Sequence, residues 1–101
     1  MGRTLSVARA KVRPEDEAAY LAALEELAAR LAARGESLWL FRHPTLNDTF
    51  LEFSESQTAE RHRRRSPRPP DEADLEDRLR ALAAYSSDAW VLWEEVPLKK
   101  G

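Results

Sequence analysis

The sequence predicts an α+β domain in which a four-stranded antiparallel sheet carries its helices on one face. Three observations support this prediction. A chain of 101 residues suffices for one hydrophobic core and therefore one domain. One stretch, about residues 15–34, has the composition and apolar periodicity of an amphipathic helix. Four shorter stretches rich in apolar residues have the length and composition of strands, and they alternate with the helical stretches.

The first predicted strand, about residues 3–12, leads directly into the first helix. Apolar and polar residues alternate along much of this stretch, as in a half-buried strand. Pro14 and the acidic residues after it are typical of a helix start, and Gly35 is a natural C-terminal cap. Large side chains at helical spacing form one apolar stripe along the helix between them: Tyr20, Leu24, Leu27 and Leu31.

The middle of the chain is a predicted hairpin. Residues 37–43 and 49–54 are rich in branched and aromatic side chains, which favour strands. The short segment between them contains Pro44 and the pair Asn47 and Asp48, which tolerate tight turns. Two strands joined by so short a loop are expected to pair antiparallel.

The second half contains two predicted helices and a last strand. The helix at about residues 56–65 is polar, and the one at about 71–85 carries an apolar stripe of Leu75, Leu79 and Leu82. An arginine- and proline-rich segment at 61–70 separates them, because prolines end helices. The last predicted strand, about 88–97, is aromatic and branched.

The element order βαββαβ predicts a ferredoxin-like fold, in which two right-handed crossovers give a four-stranded antiparallel sheet. Helices on one face leave the other face open. An antiparallel sheet can turn that face to water when its strands alternate cleanly, but the strands at 37–43 and 88–97 are apolar on both faces. We therefore expect a homodimer formed through the sheet face, since closed two-fold dimers are the commonest oligomers.

Composition excludes several classes of protein. The formal net charge is −2 and cysteine is absent, so disulfides, thiolate chemistry and cysteine-bound metals are excluded. The charge balance argues against nucleic-acid or membrane-surface partners, and neither a signal peptide nor a membrane span is evident. These features predict a cytoplasmic protein, and the abundance of alanine and arginine favours a bacterial source. Phosphate-binding glycine loops, nucleophile elbows and zinc-protease motifs are also missing.

Three stretches together resemble the dimeric α/β-barrel proteins of the antibiotic biosynthesis monooxygenase type (ABM-like). They are the strand that runs into a proline-led acidic helix start at 6–20, the hairpin strands at 38–43 and 49–55, and the closing aromatic strand. The resemblance covers nearly the whole chain. It implies two sheets packed face to face, helices outside, and a pocket between sheet and helices in each subunit. The Arg/Pro segment at 61–70 departs from the usual pattern.

The resemblance also implies a function. Family members include cofactor-independent monooxygenases that act on aromatic or quinol-like substrates, and the first hypothesis is such an oxidoreductase with a small aromatic ligand and no cofactor. A second is a non-catalytic module that binds a small molecule or a partner. A third is a haem-binding or haem-degrading relative, which needs an axial ligand from His43 or His62, the only two histidines. Their spacing matches no metal motif, so no metal site is predicted.

Two residues are candidates for catalysis. His43 ends the second strand, and histidine normally titrates near neutrality, so it could serve as a general base. Glu52 lies between apolar neighbours in the third strand, where burial could raise the pKa of its carboxyl and make it a proton acceptor. The alternatives are a strand-end histidine and an ion pair between Glu52 and Arg9 or Arg42.

Large aromatic residues could form the substrate pocket, because their rings stack on planar molecules. The alternative is that they pack the dimer and the helices. Ala8 and Ala10 in the central first strand would leave room for a ligand beneath the helices, unless helix side chains fill it. The candidate pocket residues are Tyr20, Trp39, Trp90 and Trp93.

Overall fold

The computed structural model of the chain describes residues 3–56, 70–89 and 91–99. Its elements confirm the predicted α+β architecture with helices packed on an antiparallel sheet. A short 3-10 turn at Pro14–Asp16 precedes the first helix. In chain order the elements are β1 (Thr4–Val12), α1 (Glu17–Ala32), β2 (Ser37–Arg42), β3 (Thr49–Ser56), α2 (Pro70–Leu82), β4 (Ala83–Tyr85) and β5 (Leu92–Glu94).

The sheet has the order β2–β3–β1–β4, with β5 also paired to β1, and all pairings are antiparallel. β1 is therefore central, as the ferredoxin-like topology requires. β4 pairs with the end of β1 and β5 with its beginning. Together they line the side of β1 that faces away from β3. In the middle of the sheet Ala8 pairs with Glu52, and Glu52 pairs with Leu40.

The end of the chain differs from the prediction of a helix at 71–85 and one strand at 88–97. The helix ends at Leu82, and the next three residues form β4 because their backbone groups pair with β1. Alanine favours helices, but pairing with β1 overrides that weak preference. A turn follows, in which the Ala89 amide donates to the Ser86 carbonyl at 3.1 Å. Among the described residues of the predicted last strand, Leu92–Glu94 form a strand.

The other predicted bounds of helices and strands agree with those of the structure to within two residues, and one predicted helix is untested. β3 continues to Ser56, two residues beyond the predicted end at 54. The predicted polar helix at 56–65 and most of the Arg/Pro segment at 61–70 lie outside the described residues.

A glycine ends α1, as predicted. Gly35 has a φ of 76°, in the left-handed region where glycine is favoured. The Glu36 amide donates to the Leu31 carbonyl at 3.0 Å, and the Gly35 amide donates to the Ala32 carbonyl at 3.0 Å. This pair of hydrogen bonds is a Schellman motif, which satisfies carbonyls that would otherwise lack partners.

The hydrophobic core lies between the sheet and the two helices. α1 contributes its predicted stripe and α2 contributes Leu75 and Leu79. From the sheet, Ala10, Val12 and Phe50 complete the core. Side chains at alternate strand positions point to this helix-facing side.

The opposite side of the sheet, here called the open face, is mostly apolar, and neither of the two described helices packs on it. Register places its residues next to one another across four strands. Trp39, Phe41 and Trp93 are 44%, 55% and 55% exposed. The open face comprises Leu5, Val7 and Arg9 of β1, Trp39 and Phe41 of β2, Leu51 and Phe53 of β3, and Trp93 of β5.

The two helices are also tied together by charge. Arg34, just after α1, donates two hydrogen bonds to the carboxylate of Glu72 in the first turn of α2. Glu36 lies 3.6 Å from the same guanidinium. Both carboxylates are buried, so the arginine compensates charges that would otherwise be costly. In the ranges described, neither helix is long and apolar enough to cross a bilayer.

Candidate functional site

A carboxyl group held by two phenols lies between the sheet and the helices. Glu52 Oε2 accepts a hydrogen bond of 2.6 Å from the Tyr20 hydroxyl and one of 2.7 Å from the Tyr85 hydroxyl. The three residues come from β3, α1 and β4, which are far apart in sequence. We refer to Glu52, Tyr20 and Tyr85 as the acid–phenol cluster.

The fold explains how these side chains meet. Glu52 lies on the helix-facing side of β3, beside Ala8 of β1, and Tyr85 pairs with Ala10. The two alanines are small, so the space above β1 is left to the larger side chains around them. Tyr20 is fully buried, and its ring centre lies 5.3 Å from that of Phe50.

Burial sets the protonation of the cluster. Loss of solvent raises the pKa of Glu52, although the hydrogen bonds from Tyr20 and Tyr85 act in the opposite direction. Burial and the nearby carboxylate also raise the pKa of each tyrosine well above its ordinary value. The phenols therefore remain protonated donors, while the carboxyl can gain and lose a proton closer to neutrality than an ordinary glutamate.

The second carboxylate oxygen faces a different environment. Within the described part of the chain, both hydrogen bonds to Glu52 reach Oε2, and no donor contacts Oε1. The adjoining helix-facing positions carry hydroxyls, with Ser6 paired to Ser54 and Thr4 paired to Ser56. A polar strip thus continues from Glu52 along the inside of the sheet, where a core would ordinarily be apolar.

The structure does not bring His43 to this cluster. His43 follows β2 and is exposed, and its Nδ1 accepts backbone N–H bonds from Thr45 and Leu46, each 3.1 Å long. The ring therefore stabilises the turn of the hairpin. His62 lies outside the described residues.

The predicted pocket residues separate into two groups. Tyr20 belongs to the acid–phenol cluster, whereas Trp39 and Trp93 lie on the open face and line a groove of about 340 Å³ there. Trp90 lies outside the described residues. The four aromatic residues therefore do not form one pocket in the described part of the subunit.

The predicted ion pair of Glu52 with Arg9 or Arg42 is absent. Arg9 lies on the opposite side of the sheet. Arg42 binds Glu17 at 2.7 Å and lies over the ring of Phe50. Strand parity separates Arg9 from Glu52 even though Arg9 and Glu52 are on neighbouring strands.

Tyr85 is the member of the acid–phenol cluster that the sequence analysis did not single out. The predicted helix at 71–85 placed it in the last turn of that helix. The signal that could have revealed it is the run Ser86, Ser87 and Asp88, which favours a turn directly after it. A short strand before that turn would have placed Tyr85 beside β1.

No group of three or more potential metal ligands occurs among residues 3–56, 70–89 and 91–99. The polar groups of the acid–phenol cluster are one carboxyl and two protonated phenols. The site therefore has the chemistry of proton exchange and hydrogen bonding to an oxygen-bearing ligand.

The sheet order and the buried cluster define a ferredoxin-like α+β protein with a site between its sheet and helices. No family model and no curated protein matches the sequence. Solved structures do match the fold. A conserved protein of unknown function from Bacteroides thetaiotaomicron, described as a possible oxidoreductase, has a TM-score of 0.75 at 18% identity, with 93% of this chain and 96% of that chain covered.

Two further structures also match the fold. A variant of SnoaB, a cofactor-independent oxygenase from Streptomyces nogalater, has a TM-score of 0.75 at 17% identity, covering 97% of this chain and 95% of that chain. A candidate antibiotic biosynthesis monooxygenase from Chloroflexus aurantiacus has a TM-score of 0.69 at 20% identity, covering 100% and 97%. The chain thus has the ABM-like fold, which confirms the predicted resemblance at the level of architecture.

Proposed function

We propose that the protein is a cofactor-independent monooxygenase that oxidises a small phenol or quinol-like aromatic. The observation that carries this proposal is the acid–phenol cluster, in which Glu52 is buried with Oε2 held by Tyr20 and Tyr85. The likeness in fold to SnoaB, described as a cofactor-independent oxygenase, supports the same class of reaction.

Glu52 is the proposed proton acceptor. Its carboxyl has a raised pKa, which suits a base that must take up a proton near neutral pH. The two tyrosines hold one oxygen, so the other is oriented toward an incoming hydroxyl. Tyr20 and Tyr85 act as positioning residues because their contacts are with the carboxylate.

The reaction balances with dioxygen as the only oxidant. The O–H bond of a phenol breaks and its proton moves to Glu52 Oε1, which leaves an electron-rich phenolate. The phenolate carbon reacts with dioxygen and a C–O bond forms. The C–H bond at that carbon and the O–O bond then break: one oxygen atom remains as the carbonyl of a quinone, and the other leaves as water with the hydroxyl hydrogen and the hydrogen from that carbon. Glu52 returns its proton to the departing oxygen.

The protein is also proposed to act as a homodimer that pairs through the open face. Three large aromatic residues, Trp39, Phe41 and Trp93, are about half exposed there. A contiguous apolar surface of this kind on a soluble protein marks an interaction site. A second copy is the simplest partner, since a two-fold dimer covers the same surface on both subunits.

Oxygen uptake with a panel of phenols and quinols tests the activity. The wild type should consume one dioxygen per quinone formed without added haemin or metal, and label from ¹⁸O₂ should enter the product. Glu52→Gln should lower kcat by roughly 10²–10⁴-fold, the range for loss of a general base. Tyr85→Phe should cause a smaller loss, while Glu26→Gln on the exposed side of α1 should leave the rate unchanged.

Three other experimental results would each contradict a different part of the proposal. Binding of a panel member without oxygen uptake would indicate a non-catalytic binding module. Uptake that depends on haemin would exclude a cofactor-independent enzyme. Full activity of Glu52→Gln would remove the proposed base.

A further inference from the structure

One groove in the open face contains charged groups. It has a volume of about 670 Å³ and is lined by apolar residues of β1 and β3 and by Trp93. Arg9 and Asp88 also line it, together with Ser86. Opposite charges therefore lie in one groove on a face that is otherwise mostly apolar.

Arg9 is held in the sheet, but no carboxylate among the described residues pairs with its guanidinium. It is exposed in the middle of β1, and its carbonyl accepts the Ser86 amide at 3.0 Å. In the described ranges it forms neither an ion pair nor a side-chain hydrogen bond. Covering the face with an apolar surface would bury this charge without compensation, which is strongly unfavourable.

Asp88 is the matching carboxylate, and the turn after β4 fixes its position. The Ser86 hydroxyl donates to Asp88 Oδ1 at 2.9 Å, and the Val91 amide donates to the Asp88 carbonyl at 3.2 Å. Asp88 is exposed and has no ion pair in the described residues. Its carboxylate can therefore accept a further donor.

We propose that the second copy on the open face supplies the missing charges, so that Arg9 of each subunit pairs with Asp88 of the other. The inference rests on the proposed dimer and adds its specificity determinant. In a two-fold dimer, when one residue of the surface contacts a second residue of the other subunit, symmetry repeats the same contact with the subunits exchanged. The occupant that the charges favour is thus a copy of this chain, because it presents the opposite charges in the same groove.

Charge exchange between subunits tests this pair by sedimentation or mass photometry. Arg9→Glu alone and Asp88→Arg alone should each weaken the dimer at least about tenfold in Kd, since each places like charges opposite one another at two positions. The double variant should recover dimerisation. An equimolar mixture of the two single variants should form heterodimers, because both pairs are then restored.

Arg78→Glu is the matched control, since it makes the same substitution at an exposed position of α2, on the helix side of the sheet, and should leave Kd unchanged. Circular dichroism checks that each variant is folded. A monomeric wild type would overturn the dimer itself. A dimeric wild type whose single variants also dimerise normally, or whose mixture shows no heterodimer, would overturn only the Arg9–Asp88 pair and would leave the groove to a small ligand or another protein.

Discussion

The protonation state of Glu52 reflects a competition between desolvation and hydrogen bonding. Burying an ionised carboxylate costs several kcal/mol, and each hydrogen bond to a charged group returns about 1.5–3 kcal/mol. Tyr20 and Tyr85 supply two such bonds. Desolvation is nevertheless the larger effect, so the pKa of Glu52 is raised. The folded protein therefore binds a proton at Glu52 more tightly than the unfolded chain does.

This difference predicts a pH-dependent stability. Between the unfolded pKa of Glu52 and its raised folded pKa, the native state holds a proton that the unfolded state has lost. The free energy of unfolding therefore falls as pH rises through this window. Glu52→Gln cannot titrate, so its stability relative to the wild type should increase with pH there.

Urea unfolding at a series of pH values measures the effect. Glu26→Gln is the matched control, and its stability difference from the wild type should vary with pH less than that of Glu52→Gln. A stability difference between Glu52→Gln and the wild type that does not change with pH would contradict the raised pKa.

Sequence reasoning predicted Glu52 as a candidate site residue but did not predict its hydrogen-bond partners. A carboxylate in the middle of an apolar strand is visible from the sequence alone, and so is the strand parity that sets its face. Tyr20 was predicted as a pocket residue from its aromatic ring, without its link to Glu52. The tyrosines reach the carboxylate from α1 and β4, and no spacing in the chain encodes that meeting. His43 was predicted from its side-chain chemistry, and its ring binds the backbone of the turn that follows it.

At the scale of elements, the predictions were best where composition and packing agree. α1 has strong helix formers, an apolar stripe and a glycine cap, and all three indicate the same element. The residues of β4 have no strand propensity of their own, since two of the three are alanine. They form a strand only because β1 offers unpaired backbone groups beside them. Such an element depends on tertiary contacts that cannot be predicted from the local sequence.

The cap of α1 allows a quantitative test at Gly35. Its φ of 76° is unfavourable for residues with a Cβ, and a Cβ there would meet no atom within 4 Å. Gly35→Ala should therefore destabilise the protein by backbone strain alone, by about 1 kcal/mol. This corresponds to a fall in Tm of roughly 4–8 °C.

Gly35→Asn is the matched variant, because asparagine tolerates the left-handed region better than alanine. It should lose clearly less stability in thermal unfolding. Equal losses for the two variants would contradict the prediction that the left-handed backbone conformation at residue 35 determines the effect.

At the scale of the whole molecule, the two faces of the sheet have different roles. The helix-facing side buries the core and the acid–phenol cluster, so it can provide a site within one subunit. In the described part of the chain, the open face lies opposite the two helices and exposes several aromatic residues, including Trp39 and Trp93. Removing apolar surface of this kind from water is favourable by roughly 25 cal/mol per Å².

The open face therefore predicts a concentration-dependent dimer, and Trp93 is the residue to change. It is 55% exposed and pairs in register with Leu5 of the central strand β1. Trp93→Asp would bury a charge without a partner at the interface, so it should shift the protein to monomers in sedimentation velocity at micromolar concentration. Leu46→Asp is the control: Leu46 is 51% exposed but lies in the hairpin turn, so this variant should remain dimeric. Dimers that persist in Trp93→Asp would mean that the subunits associate through another surface.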